Sequence, residues 1–148
     1  MNLRRLLSED SVILELQGST KDQIIEEMVD FLVAKGRIKD RDAALKAVLE
    51  REKKMSTGMQ HGIAIPHGKT DSVDRLVTAL GLKRGGVDFG SMDGNPATIF
   101  IMTLSSVSRT GPHIQFLSEI SQVLNDPERR DRLLKAQTTG EVMDILTM

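Results

Sequence analysis

Apolar side chains recur along this chain in two rhythms, one helical and one extended, and the switches between them mark out its elements. Residues 11–16, with Val12, Ile13, Leu14 and Leu16, predict a strand or extended segment. Thr20 and Gln23 then form a capping box, in which a hydroxyl and an amide satisfy free N–H groups at a helix start. Ile24, Met28, Phe31 and Leu32 follow at helical spacing, and Gly36 suits the residue just past the last turn. A second helix is predicted from Asp40 to about Lys53, with Ala44, Leu45, Val48 and Leu49 facing inward. Its last turn carries Arg51, Glu52, Lys53 and Lys54, which read most simply as a solvated end whose cations suit the helix dipole.

The rhythm changes after a polar, glycine-bearing loop over residues 55–62. Residues 62–68 are a short β-branched run, bounded by glycines, that delivers His67 directly after Pro66. Proline fixes its own φ and holds Ile65 extended, so His67 is expected at a strand end, with Gly68 leaving its surroundings open. Residues 75–82 predict a strand, Arg84-Gly85-Gly86 a turn, residues 87–89 a short extended piece and residues 92–96 a second turn. Residues 97–104 are almost continuously apolar, the pattern of a central strand buried on both faces. A loop of small hydroxyl residues with Arg109 leads to Pro112, which is suited to begin a helix whose stripe is Ile114, Leu117, Ile120 and Leu124. A turn at Asn125-Asp126-Pro127 precedes a helix over about residues 129–136. Thr138 and Glu141 cap a last one backed by Val142, Ile145 and Leu146.

Strands interspersed with helices, with one strand wanting cover on both sides, predict a single α/β domain over residues 1–148 with helices layered on a sheet. Chemistry in such folds gathers in the loops at strand carboxyl ends, where His67 and residues 105–113 both fall.

Composition narrows the chemistry. A net charge of −1 gives no global field for nucleic acid or an anionic membrane, and aromatic residues are only 3%, so stacking platforms are scarce. No cysteine is present, which removes disulfides, thiolate metal sites and thiol nucleophiles. No signal-like segment or membrane-length apolar run occurs, and a cytoplasmic protein without membrane insertion is expected. Imidazole chemistry rests on three histidines, His61, His67 and His113.

His113 falls in the first turn of its helix, where free N–H groups and the dipole favour an anion, phosphate above all. The same field disfavours imidazolium. If the two loops meet, His67 and His113 face each other beside hydroxyls and backbone donors, an arrangement suited to accepting and holding a phosphoryl group. A helix-start histidine bonded only to its own loop is the competing reading of His113. A histidine metal site is a remote alternative, because His61 and His67 lack the usual zinc spacing and no carboxylate motif accompanies them. Neither a G-x-S-x-G elbow nor a glycine-rich nucleotide loop is present, and no cofactor is expected.

Residues 62–68, with Arg51-Glu52 upstream and His113-Ile114-Gln115-Phe116-Leu117 downstream, resemble the enzyme IIA domain of the mannitol/fructose class of the bacterial phosphotransferase system, whose class includes nitrogen-regulatory paralogues. The resemblance spans essentially the whole chain. Gln60 departs from it, standing where the family usually has Gly or Ala. The resemblance implies the mixed-sheet IIA fold and a phosphohistidine carrier. His67 would be phosphorylated by the histidine phosphocarrier protein, Arg51 would steady the phosphate, and His113 would be the second active-site histidine. For Arg51 this displaces the solvated-end reading. In sugar-transporting members the phosphoryl group passes to a cysteine of enzyme IIB; regulatory members act on target proteins instead. Ser56-Thr57-Gly58 with His61 resembles the regulatory or fructose-like members; the regulatory branch is the reading taken, with a fructose/mannitol-type transport subunit as the alternative. An interaction domain that has lost phosphotransfer is a third possibility, opposed by the presence of Arg51, His67 and His113 together.

Overall fold

The computed structural model describes residues 3–109 and 111–148. A five-stranded mixed sheet forms the middle layer. Its strands are β1 (Val12–Ile13), β2 (Ile63–Ala64), β3 (His67–Lys69), β4 (Val77–Val87) and β5 (Ala97–Ser105), in the order β1-β4-β5-β2, with β3 also paired to β5. β4 and β5 are antiparallel; β1 runs parallel to β4, and β2 and β3 run parallel to β5.

The helices are α1 (Leu3–Leu6), α2 (Lys21–Ala34), α3 (Arg41–Lys54), α4 (Gly111–Leu124), α5 (Pro127–Lys135) and α6 (Thr139–Leu146). Side chains alternate across a strand, and β5 divides its own between two cores. Phe100, Met102 and Leu104 pack with Ile24, Met28, Leu32 and Val48 of α2 and α3. Ile99 and Ile101 pack with Phe116, Ile120, Leu133 and Val142 of α4, α5 and α6. The long apolar run is therefore the central strand of a helix–sheet–helix sandwich, as its pattern predicts.

The predicted caps are formed. Thr20 accepts from the Gln23 amide, although the Gln23 side chain reaches back to Ser19 rather than to Thr20. Gly36, at φ +72°, closes α2 with a Schellman motif: Gly36 N–H donates to the Val33 carbonyl and Arg37 N–H to the Leu32 carbonyl. Asp40, Asp126 and Thr138 cap α3, α5 and α6.

Four expectations change. The predicted extended segment over residues 11–16 is a strand only at Val12–Ile13: Ser11 ends a 3-10 turn (Glu9–Ser11), and residues 14–16 lie outside the strand. Arg84-Gly85-Gly86 is no turn: β4 runs through it with a register shift between Leu82 and Val87, and Gly86, at φ +77°, absorbs the irregularity. Ile114 is exposed, and Phe116 instead leads the buried stripe of α4. Two residues turn a helix by about 200°, so the two cannot share a face. Gln60 is exposed and takes no left-handed conformation. The turn there rests on His61 (φ 64°) and Gly62 (φ 76°), so the departure at position 60 leaves the backbone free to make it.

Candidate functional site

His67 does not end a strand; it begins one. The edge of the sheet beside β5 is broken at Ile65 and Pro66, with β2 before the break and β3 after it. Proline has no N–H to offer a ladder, and an edge strand is where that loss is tolerated. The Pro66 carbonyl still accepts from Thr103 N–H at 3.1 Å. The side chain of His67 folds back so that Nδ1 lies 2.9 Å from the Ile65 carbonyl. A carbonyl can only accept, so Nδ1 carries the proton and Nε2 keeps its lone pair.

Gly68 does not leave space open. It is buried, and a Cβ there would lie 3.1 Å from Ala47 C and Val48 N and 3.2 Å from Ala47 Cβ. The missing side chain lets the backbone of α3 lie directly on β3. Arg51 is one turn further along α3, about 5 Å towards its C-terminus. The Arg51 side chain is half-buried and its Nη1 donates to the Met55 carbonyl at 2.8 Å; it bonds to neither histidine.

Glu52, the next residue, is buried. It shares the inward stripe of α3 with Ala44 and Val48. Its Oε1 accepts from Thr57 N–H at 2.8 Å and lies 2.8 Å from Lys21 Nζ, while Oε2 accepts from the Thr57 hydroxyl at 2.7 Å. The Thr57 carbonyl accepts from Ile65 N–H at 3.1 Å. A continuous chain of bonds thus runs from Lys21 through Glu52, Thr57 and Ile65 to the His67 ring.

His113, on the first turn of α4, meets His67 edge-to-face with ring centroids 5.4 Å apart. Its pKa is lowered to about 4, chiefly by burial and then by His67 and Lys69, so it is neutral at neutral pH. His113 Nδ1 is buried with no hydrogen-bond partner among the described residues. A buried lone pair is tolerated better than a buried unpaired N–H, so we assign the ring proton to Nε2.

Thr103 is the ladder partner of His67, and Ser105 that of Lys69. Alternation puts Thr103 and Ser105 on the same sheet face as Ile99 and Ile101, the side covered by α4. At the end of β5 that face changes from apolar to hydroxylic. The hydroxyls of Thr103, Ser105 and Ser106 are buried and have no partner among the described residues.

The structure thus brings His67 and His113 together, the condition the sequence reading set, and places Arg51 on α3, the helix packed on β3. His61 lies apart on its turn, where its backbone N–H donates to Asp93. Arg109 is exposed on the loop before α4. Sequence reasoning missed Thr103, hidden in an apolar run, and Lys69, although a residue two beyond His67 on a strand must share its face. Among the described residues no three His, Cys, Asp or Glu side chains converge as metal ligands. No helix among them is long and apolar enough to cross a membrane. A lone-pair nitrogen, a neutral imidazole donor, unused hydroxyls and nearby cations make a site fitted to a tetrahedral anion bonded to His67.

The sequence profile of the phosphoenolpyruvate-dependent sugar phosphotransferase system, EIIA 2, matches residues 5–148. The chain is 41% identical over 135 residues to the fructose-specific EIIA component of Haloferax volcanii, covering 91% of this chain and 88% of that protein. It is 37% identical to the fructose-specific EIIABC component of Bacillus subtilis, spanning 99% of this chain but only 23% of that longer protein. Its fold matches the nitrogen regulatory protein IIA-Ntr of Neisseria meningitidis at a TM-score of 0.85, with 26% identity and 98% and 99% of the two chains covered. It also matches the Escherichia coli complex of enzyme IIA mannitol with phosphorylated enzyme IIB mannitol at 0.82, with 26% identity and 95% and 96% coverage. From the match across residues 5–148 and the kinship with the Haloferax protein, the chain belongs to the EIIA type-2 family of the phosphoenolpyruvate-dependent phosphotransferase system.

Proposed function

We propose that this chain is a phosphoryl carrier that accepts phosphate on Nε2 of His67 from the histidine phosphocarrier protein. The observation that carries this reading is the bond from His67 Nδ1 to the Ile65 carbonyl, which leaves Nε2 as the nucleophile. The Nε2 lone pair attacks phosphorus as the nitrogen–phosphorus bond to the donor histidine breaks, and the donor ring takes the electron pair. The proton stays on His67 Nδ1 and is still donated to the Ile65 carbonyl, which favours the cationic ring that phosphorylation creates.

Exchange between two histidines is near balance, so the protein's task is to position the partners and stabilise a loose, highly charged transition state. Neutral His113 donates from Nε2 to a phosphoryl oxygen, and the Thr103 and Ser105 hydroxyls supply unused donors behind it. Arg51 on the adjoining helix neutralises charge once the guanidinium swings from the Met55 carbonyl. Met55, Val107 and Ile114 are exposed near these residues in the chain, offering apolar contact to a visiting protein over a modest, transient interface.

For the next step, identity supports a fructose-type transport subunit that passes phosphate to an enzyme IIB cysteine. Likeness to the fructose-specific components is 41% and 37%, against 26% for the nitrogen regulatory protein of Pseudomonas aeruginosa. The regulatory reading keeps one observation in its favour, the TM-score of 0.85 to IIA-Ntr.

The test is incubation with phosphoenolpyruvate, enzyme I and the phosphocarrier, read by intact mass. One acid-labile phosphate is expected, absent from His67→Ala. An unchanged mass with both sugar-type and nitrogen-type phosphocarriers overturns the carrier reading. Adding a fructose-type IIB separates the branches, because a transport subunit loses its label to the IIB cysteine and a regulatory one keeps it.

A further inference from the structure

On the β4 side of the sheet, opposite the edge that carries His67, a cavity of about 420 Å³ opens between α1, the end of α2 and the loop before β4. Its wall holds four cationic side chains, Arg5, Arg37, Lys39 and Arg75, and one carboxylate, Asp74. Lys39 Nζ lies 2.8 Å from Asp74 Oδ1, and this bond, with Arg75 nearby, holds the Asp74 carboxyl below its usual range. The carboxylate is thus already committed. Arg5, Arg37 and Arg75 have no carboxylate ion partner among the described residues.

Several other arginines of the chain are paired with carboxylates, whereas Arg51 and Arg130 donate to backbone carbonyls. Arg41 binds Glu26 and Asp30, Arg84 binds Glu15, and Arg132 binds Glu128. With 21 acidic residues against 20 basic ones, carboxylates are not scarce. Three guanidiniums therefore line one cavity whose single carboxylate, Asp74, is already bonded to Lys39.

Arg37 is also fixed in place. It is the residue after the left-handed Gly36 in the Schellman motif, a position that commonly sets an apolar side chain against the helix. Here it sends a guanidinium into the cavity wall, where Nη1 donates to Ser11 Oγ at 2.8 Å. A neutral partner orients the group and leaves its charge unspent.

We infer that this cavity is a binding site for the phosphate group of a small organic molecule, separate from the His67 site. Guanidiniums arriving from three different elements suit a tetrahedral dianion, which offers acceptors in several directions. A planar carboxylate is satisfied by one fork. The volume exceeds what bare phosphate needs and lies within the usual span of small-molecule sites, leaving room for a sugar or a nucleoside. The site lies close to the phosphoryl-transfer machinery. Thr78 on the cavity wall is the ladder partner of Thr103, which in turn pairs with His67, so two strand spacings, about 10 Å, separate Thr78 from His67.

The test is titration of the intact, unphosphorylated protein with inorganic phosphate, fructose 1-phosphate and AMP at low salt, followed by amide NMR and calorimetry. Saturable shifts are expected at Ser11, Arg37 and Ser72. Whichever of the two organic phosphates binds more tightly identifies the sugar-phosphate or the nucleotide source. Arg37→Gln and Arg75→Gln should each weaken binding at least tenfold while leaving phosphorylation of His67 intact. Arg75 is exposed, so its variant keeps the test decisive if loss of the Arg37–Ser11 bond impairs folding. No saturable binding of any of the three probes, affinity unchanged in both variants, or shifts confined to the His67 and His113 region would each overturn the site.

Discussion

Removing the Glu52 carboxylate should loosen both the fold and the hold on the His67 ring. Glu52 is only 6% exposed and takes three bonds: two from Thr57, itself buried, and one from Lys21. Glu52→Ala leaves the Thr57 N–H and hydroxyl without their acceptors, at about 1–3 kcal/mol for each buried group. Lys21 adds less, because its side chain is 27% exposed and can rehydrate while keeping its place over the Phe89 ring. The expected loss is about 3 kcal/mol, the lower end of what breaking a buried pair costs. Glu52→Gln keeps an acceptor for Thr57 N–H and lets the Thr57 hydroxyl turn to accept, so it should cost about 1–2 kcal/mol, mostly the lost attraction to Lys21. Urea unfolding gives both values. Because Thr57 holds Ile65, and Ile65 holds His67 Nδ1, the alanine variant should also accept phosphate more slowly even where fully folded. A Glu52→Ala protein within 0.5 kcal/mol of the parent, or glutamine as costly as alanine, would refute this chain of support.

Three further outcomes follow from the site. Imidazole NMR should show His113 remaining neutral down to about pH 4. Its folded pKa lies below the unfolded value near 6.5, so this group contributes no pH dependence above that value. Stability is lost as pH falls from about 6.5 towards 4, and His113→Gln should flatten that part of the profile. Gly68→Ala should destabilise by about 1–3 kcal/mol and slow phosphoryl acceptance, because its methyl meets the α3 backbone and displaces the helix that carries Arg51. Arg51→Gln should cost about 1 kcal/mol or less in urea, for the lost bond to the Met55 carbonyl, yet slow transfer from the phosphocarrier by about 10²-fold in stopped quench-flow.

What could be read from the sequence was whatever a local pattern dictates. The capped helices and the doubly buried β5 follow from periodicity and cap residues, whereas the sequence offers the meeting of His67 with His113 only as a condition, which their ring contact meets. What depends on packing between distant segments was not legible. Glu52 sits in a run of charges that looks solvated, and only its four-residue spacing from Ala44 and Val48 betrays the inward face. In the sequence Gly68 suggests open space, because its real neighbour, the backbone of α3, is twenty residues away in the chain. Arg84 to Gly86 has turn composition, yet pairing with β5 carries the strand through it. The role proposed for Arg51 rests on family resemblance; the structure places it one turn beyond the Gly68 contact, bonded to the Met55 carbonyl.

The central claim is that the Ile65 carbonyl selects which nitrogen of His67 reacts. Long-range ¹H–¹⁵N correlation spectra of the protein phosphorylated by its phosphocarrier, with ³¹P coupling, test it most directly. The account predicts a single phosphohistidine, with phosphorus on Nε2 of His67 and a protonated Nδ1 still donating to the carbonyl. Phosphorus on Nδ1 of His67, or on His113, would contradict it.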